Sequence, residues 1–218
     1  SLMALTDQTR AEMMDLAARY PQARSALLPM LHLVQSEEGY VTEGGIIMCA
    51  EVLGLTTAEV KAVATFYTMF KDEPVGEYHV GVCINPGCGI LGGDAIWETL
   101  SEDLGVGHDQ VTEDGKISLE RIECQAACTH APVMTANWEF MDNMTVESAR
   151  QLVEDLRAGR EVKSTRGPVI RDFKATERTL SGIDDDGLGE VPATDDLMLA
   201  GLRYAQEHDM KAPDAEVI

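Results

Sequence analysis

The chain is 218 residues long, 44% hydrophobic and 25% charged, an ordinary globular balance for one medium domain or two small ones. Its 38 acidic residues against 17 Lys and Arg give a formal net charge of −21, which argues against nucleic-acid binding and charge-driven binding to anionic lipid. The longest uninterrupted apolar run, Ile46–Ala50, is far too short to span a bilayer, and Asp7, Glu12 and Asp15 argue against a signal peptide.

In chain order, the first 70 residues read as short helices. Met13, Leu16, Ala17 and Tyr20 recur at helical spacing until Pro21. Ala26, Leu27, Met30, Leu31 and Val34 make a second stripe, ending near Gly39. Glu43 to Leu53 is a third, between Thr42 as N-cap and Gly54 as stop. Thr56-Thr57-Ala58-Glu59 is a capping box opening a fourth, with Val60, Val63, Ala64 and Tyr67 expected on its inner face. Phe66, Tyr67, Met69 and Phe70 are more aromatic and apolar bulk than one face can bury, which suggests a protein interface.

After Pro74 the pattern changes. Tyr78 to Val82 reads as a buried strand, and Ile96, Trp97 and Leu100 as a helix from about Asp94. Asp114-Gly115 is a hairpin signal between Val111 and Ile117. Ile117, Leu119 and Ile122 suggest a strand, Pro132 to Ala136 another, and Val146 to Leu156 a helix capped by Thr145. The expected order is strand, helix, strand, strand, helix, a small α/β or α+β domain.

Charge then divides the chain. Residues 1–160 hold 25 acids and 10 bases, 161–180 hold 3 acids and 5 bases, and 181–218 hold 10 acids and 2 bases. Asp184-Asp185-Asp186, several glycines, Pro192 and Pro213 mark 161–218 as an extended or weakly ordered acidic arm. Within it Asp195 to Gln206 offers one short helix through Leu197, Leu199, Leu202 and Tyr204. The basic stretch Arg166, Arg171, Lys174 and Arg178 reads either as a dock for an acidic partner or as a solvated linker. The expected division is therefore 1–73, 74–160 and 161–218.

Four of the five cysteines carry the chemistry. Cys83 and Cys88 are spaced C-x4-C after one strand, and Cys124 and Cys128 are spaced C-x3-C after another. Four soft thiolates from two loops suit an iron–sulfur cluster; zinc, with its tighter knuckles, and a redox disulfide stay open on spacing alone. Gly87, Gly89 and Gly92 also satisfy G-x-G-x-x-G, with acids at Asp109 and Glu113 about 20 residues on. A cysteine inside the motif and the smallness of the domain weigh against a dinucleotide site. A glycine-rich ligand loop explains the same residues. Cys49 lies in an apolar helix and reads as packing. His130 follows Cys128 by two residues and reads as a surface histidine, a hydrogen-bond neighbour or, least simply, a ligand.

These residues resemble a known family: the small 2Fe–2S subunit of the NADH dehydrogenase module of respiratory complex I. Cys83-Ile84-Asn85-Pro86-Gly87-Cys88 followed by Gly92, and Glu123-Cys124-Gln125-Ala126-Ala127-Cys128 with Ala131-Pro132, match its two ligand loops. Leu31 to Gln35, Glu38-Gly39-Tyr40 and Val63 to Phe70 match its helical N-terminal region. The similarity covers about residues 10–160. It implies a helical N-terminal bundle followed by a thioredoxin-like ferredoxin domain, and one 2Fe–2S cluster on Cys83, Cys88, Cys124 and Cys128. It further implies a one-electron carrier within NADH:quinone oxidoreductase, at home in the peripheral arm on the cytoplasmic face of the membrane. Its partners would be the FMN- and NADH-binding flavoprotein subunit and further iron–sulfur subunits. The equivalent subunit of an NAD-linked formate dehydrogenase or hydrogenase is the alternative. The family core does not include the acidic arm.

Two other classes fare worse. A redox-sensing helix-turn-helix regulator needs a basic recognition helix, yet residues 1–72 hold nine acids and five bases. A thioredoxin-type disulfide enzyme needs C-x-x-C, which is absent.

Overall fold

The computed structural model describes residues 5–183 and 195–211; Asp184-Asp185-Asp186, Pro192 and Pro213 of the expected arm lie outside them. Helix α1 (Asp7–Ala18) starts where the Thr6 and Thr9 hydroxyls accept each other's backbone N–H groups. Helix α2 (Leu27–Glu38) ends at Gly39, in the left-handed region at φ 84°. Helix α3 (Glu43–Leu53) is capped by the Thr42 side chain and ends at Gly54. Helix α4 (Thr57–Phe66) carries the Thr56/Glu59 capping box. These four helices enclose one apolar core built on Met13, Leu16, Met30, Leu31, Val34 and Val60.

One expectation fails here. Val60 and Ala64 face the core, but Tyr67 lies beyond the end of α4 in extended backbone and is half exposed. The helix stops one residue before Tyr67 can reach the inner face. Phe66 is 77% exposed, so apolar bulk does remain on the surface around this turn.

A five-stranded sheet follows, in the order β2-β3-β1-β4-β5. Strand β1 (Tyr78–Cys83) runs parallel to β3 (Ile117–Ile122), and β2 (Gln110–Val111), β4 (Met134–Ala136) and β5 (Glu139–Met141) complete it antiparallel. Because strand side chains alternate faces, Val80, Val82, Ile117 and Leu119 share one side. There they meet Ile96, Trp97 and Leu100 of α6 (Asp94–Leu104) and Leu152, Val153 and Leu156 of α7 (Val146–Arg157). A single helical turn, α5 (Pro86–Cys88), lies between β1 and α6.

The alternate residues carry a polar joint. Glu120 accepts from His79 Nε2 and Lys71 Nζ, both at 2.5 Å, and the Trp138 ring stacks on His79 with centroids 4.6 Å apart. Burial pushes the His79 pKa down, keeping the ring neutral, while its bond and that of Lys71 overcome burial to hold the Glu120 carboxyl at about 2. A second carboxylate, Glu177, is fully buried and accepts from His32 Nδ1 at 2.6 Å, Gln35 Nε2 at 2.9 Å and Trp138 Nε1 at 2.8 Å. Both of its oxygens are thereby paired, as buried polar atoms require. The two networks meet at Trp138 and fasten the helical bundle to the sheet.

Strand β5 has no counterpart in the sequence expectation. Its hairpin with β4 turns through Asn137 and Trp138, at φ 43° and 71°, the left-handed pair that usually demands Asn-Gly. Trp in that conformation is held by its bond to Glu177 and its stacking on His79. The short β2 supplies the partner strand of the expected Asp114-Gly115 hairpin.

Residues 161–183 are corrected more fully. They do not form an extended arm: Ile170 and Phe173 are buried, and α8 (Phe173–Leu180) packs along α2. The basic residues are used internally. Arg166 pairs with Asp142 at 2.9 Å, Lys174 donates to the Glu37 carbonyl at 2.7 Å, Arg171 donates to the Ala175 carbonyl at 3.2 Å, and Arg178 pairs with Glu12 at 2.7 Å. They pin the segment to the body instead of offering it to an acidic partner. Helix α9 (Asp196–Glu207) forms where its apolar spacing predicts.

Candidate metal centre

The position of the cysteines follows from strand direction. β1 and β3 are parallel and in register, with Cys83 opposite Ile122, so the chain leaves both strands at the same edge of the sheet. Loops starting at one edge can converge. Asn85 Nδ2 ties the first loop to the Ile122 carbonyl at 3.2 Å.

Cys83 and Cys88 are buried, in a small apolar nest with Ile122, Ala127 and Val133. Val133 serves both: its carbonyl accepts from the Cys83 N–H at 3.1 Å, and its N–H donates to the Cys88 sulfur. Between Cys88 and α6 the chain makes a wide turn, Gly89–Gly93. A Cβ on Gly93 would stand 2.4 Å from the Cys83 carbonyl oxygen and 2.9 Å from that of Cys88. Gly92 takes φ 121°, open to glycine and closed to other residues. The glycines of the G-x-G-x-x-G stretch thus sit in a tight ligand loop.

The second pair is exposed. The Cys124 and Cys128 sulfurs lie 3.5 Å apart, and the Ala126 N–H donates to the Cys124 sulfur at 3.4 Å. That bond is reached with Ala126 at φ 55°, a strained conformation for a residue with a Cβ.

Crowding opposes ionisation of free thiols. Burial pushes Cys88 up to about 11, with the Cys83 thiol adding to it and the Val133 N–H opposing it. Contact with Cys124 pushes Cys128 up as well. Four thiolates can share this edge only if positive charge enters among them, which is what iron or another soft cation provides. Among the described residues no three Cys, His, Asp or Glu side chains converge on a one-ion site. The Cys124 and Cys128 sulfurs touch and the buried Cys83 and Cys88 share one apolar nest, a donor set of the kind an iron–sulfur unit would use.

The other candidates stand apart. Cys49 is sealed in the helical core, and burial alone pushes its thiol up to about 12. His130 turns away, donating from Nε2 to Asp195 Oδ2 at 2.6 Å. Gly93 and Val133 were not legible as site residues, whereas Gly92, Asn85 and Ala126 carried a signal only as members of the ligand-loop motifs. On the first loop Ile90 and Leu91 point into solvent.

Residues 13–157 match the thioredoxin-like [2Fe-2S] ferredoxin family. The chain is 52% identical over 203 residues to an NADH-quinone oxidoreductase subunit of Mycobacterium tuberculosis, covering 91% of this chain and 79% of that one. It is 34% identical over 169 residues to an NADH-quinone oxidoreductase subunit of Thermus thermophilus, covering 76% of this chain and 93% of that one. Its fold is similar to part of an NAD+-reducing [NiFe]-hydrogenase in the air-oxidized state. That likeness has a TM-score of 0.55 and 21% identity over 61% of this chain and 23% of the hydrogenase chain.

Proposed function

The chain belongs to the thioredoxin-like [2Fe-2S] ferredoxin family, and from that premise we propose that it is the one-electron carrier subunit of an NADH-quinone oxidoreductase. The observation that supports the reading is that the two cysteine pairs lie on loops leaving adjacent ends of β1 and β3, with Ala127 of the second loop packed against Cys83 and Cys88. Cys83, Cys88, Cys124 and Cys128 would hold one 2Fe–2S cluster. When bound, the cluster supplies a reversible one-electron couple.

This chain's own residues set the conditions. Val133 and Ala126 aim N–H groups at the Cys88 and Cys124 sulfurs, which favours the more negative, reduced state. The net charge of −21 opposes it. With few aimed donors against so large a field, the couple lies at low potential. Burial of Cys83 and Cys88 keeps water from half the site, and the exposed Cys124/Cys128 side is where electrons enter and leave.

NADH gives up two electrons at once, so a flavin must divide them. Gly89 and Gly93 lie against the backbone of their own cysteine loop, which accounts for the glycines without a dinucleotide, and the flavin and NADH belong to a partner flavoprotein subunit. Among the described residues no helix is long and apolar enough to cross a membrane, which suits a place in a peripheral arm on the cytoplasmic face. The relatives named for NADH-quinone oxidoreductase favour that enzyme; the hydrogenase likeness bears on the fold alone.

The test is an anaerobic EPR spectrum of the dithionite-reduced chain with iron and sulfide analysis. Two irons, two sulfides and an S = 1/2 signal are expected, lost or altered in Cys83→Ser and Cys128→Ser. Zinc in place of iron after reconstitution would overturn the reading.

A further inference from the structure

Helix α9 contributes nothing to the packed body. None of its residues is buried. Yet its sequence is amphipathic: at 100° per residue, Leu197, Met198, Leu202 and Tyr204 fall on one face with Gly201 and Ala205, while Asp195, Asp196, Arg203, Gln206 and Glu207 fall on the other, where Leu199 is the one large apolar residue and is partly covered. Leu202 is 57% exposed, and Leu197 and Tyr204 are similarly open. An amphipathic helix that buries nothing lacks a partner, since its apolar face contributes to stability only when covered.

The position of that face is not arbitrary. The first residue before α9, Asp195, caps the helix by accepting from the Met198 N–H at 2.8 Å and also accepts from His130 Nε2 at 2.6 Å. His130 is nearly buried and lies two residues past Cys128, so the contact moors the start of α9 to the second cysteine loop. The same rim carries another uncovered apolar pair. Gly92 packs near Pro132, with 3.9 Å from an added Cβ to Pro132 Cγ, which sets Ile90 and Leu91 of the first loop beside the second. Exposed sulfurs, exposed Ile90 and Leu91, and the moored end of an uncovered amphipathic helix therefore share one edge of the molecule.

We propose that α9 is a docking arm for the subunit that exchanges electrons with the Cys83/Cys88/Cys124/Cys128 centre, and that its Leu197–Met198–Leu202–Tyr204 face fills an apolar groove on that subunit. The inference rests on the electron-carrier reading. Electron exchange requires close approach at the edge holding Cys124 and Cys128, and a subunit seated there meets the end of α9. Charge defines the occupant further. Arg203 and Lys211 pair with Asp196 and Asp209, which leaves Asp195 and Glu207 in excess on this segment of a chain whose net charge is −21. The groove is rimmed by Lys or Arg. A second copy of this acidic chain would repel at the same rim, and so would anionic lipid. The Thermus thermophilus relative matches 76% of this chain with 93% of its own length. Helix α9 lies beyond the family match at 13–157.

The test uses the full chain carrying Leu197→Asp and Leu202→Asp together. Neither side chain is buried, so the fold has no stake in them. The chain is co-expressed with the flavoprotein subunit of its own enzyme, and binding is titrated between the purified proteins. Expected is a loss of roughly tenfold or more in affinity, as for truncation of apolar anchors, with iron content and EPR signal unchanged. Unchanged affinity in a variant that keeps its signal overturns the docking role and leaves the electron-carrier reading intact. Self-association of the unmodified chain, abolished by the two substitutions while flavoprotein binding persists, also overturns it and assigns the face to a second copy. Absence of any 2Fe–2S signal in the unmodified chain would bring down the electron-carrier reading itself.

Discussion

Gly93→Ala is the smallest change that should empty the centre. The added Cβ would lie 2.4 Å from the Cys83 carbonyl oxygen and within 3.0 Å of two Cys88 backbone atoms. Real Cβ atoms do not approach closer than about 3.0 Å, so one of these backbones must move by at least about 0.6 Å. No flexible side chain is available to yield. Both neighbours are the backbones of proposed ligand residues, and functional constellations tolerate displacements of only about 0.5 Å. The first sulfur pair therefore loses its geometry against the second. Iron per chain should fall at least roughly fivefold after anaerobic reconstitution, and the S = 1/2 EPR signal should fall with it. Gly87→Ala is the matched control: it lies in the same loop, inside the same G-x-G-x-x-G stretch, and a Cβ there meets nothing within 4 Å. It should keep full iron. The core of α1–α4 does not involve the loop, so helical content should persist in both variants. Wild-type iron and an unchanged EPR spectrum in Gly93→Ala would refute the reasoning, and loss of iron from Gly87→Ala would show that the loop needs its glycines for something other than close packing.

Glu120→Gln should destabilise the chain at neutral pH. The wild-type carboxyl sits at about 2 against an ordinary 4.5, which linkage converts to about 3 kcal/mol. A depressed carboxyl contributes above its unfolded value and loses that contribution as pH falls through 4.5 toward 2, so the variant should also show a flatter acid limb there. Buried neutral His79 adds stability that fades as pH falls below its ordinary 6.5. Thermal unfolding followed by circular dichroism should show a midpoint lower by roughly 6–12 °C at pH 7; a shift under about 2 °C would contradict the assignment. Cys49→Ala should cost about 1 kcal/mol of stability from the lost packing and leave iron content and EPR untouched. Loss of iron in that variant would mean that Cys49 communicates with the centre.

The four helices and most of the sheet were legible because their signals are local. Thr42, Thr56 and Thr145 cap helices through bonds spanning three residues, and the apolar stripes repeat at 3.6 or 2. The cysteine spacing pointed to a soft-metal centre before any fold was known. Strand β5 was invisible because its turn uses Asn137-Trp138 in place of Asn-Gly, a choice that makes sense only once Glu177 and His79 arrive to hold the Trp ring. The basic stretch after residue 160 read as a partner dock or a linker for the same reason. Arg166, Arg171, Lys174 and Arg178 find partners within their own segment and up to 166 residues away in sequence, and the buried Glu177 between them binds side chains from α2 and from the β4–β5 turn.

The sequence by itself therefore narrowed the centre to soft-ligand chemistry, with zinc and a redox disulfide still open on cysteine spacing, and the resemblance of its two loops to a family pointed to 2Fe–2S. Only the tertiary structure decided that the two cysteine loops leave neighbouring strand ends. That depends on β1 and β3 being parallel neighbours in register, a pairing between segments 39 residues apart that no local periodicity encodes. It also decided which side of the centre is sealed and which is open, because burial of Cys83 and Cys88 and exposure of Cys124 and Cys128 depend on what packs over each loop, and those contacts come from distant parts of the chain.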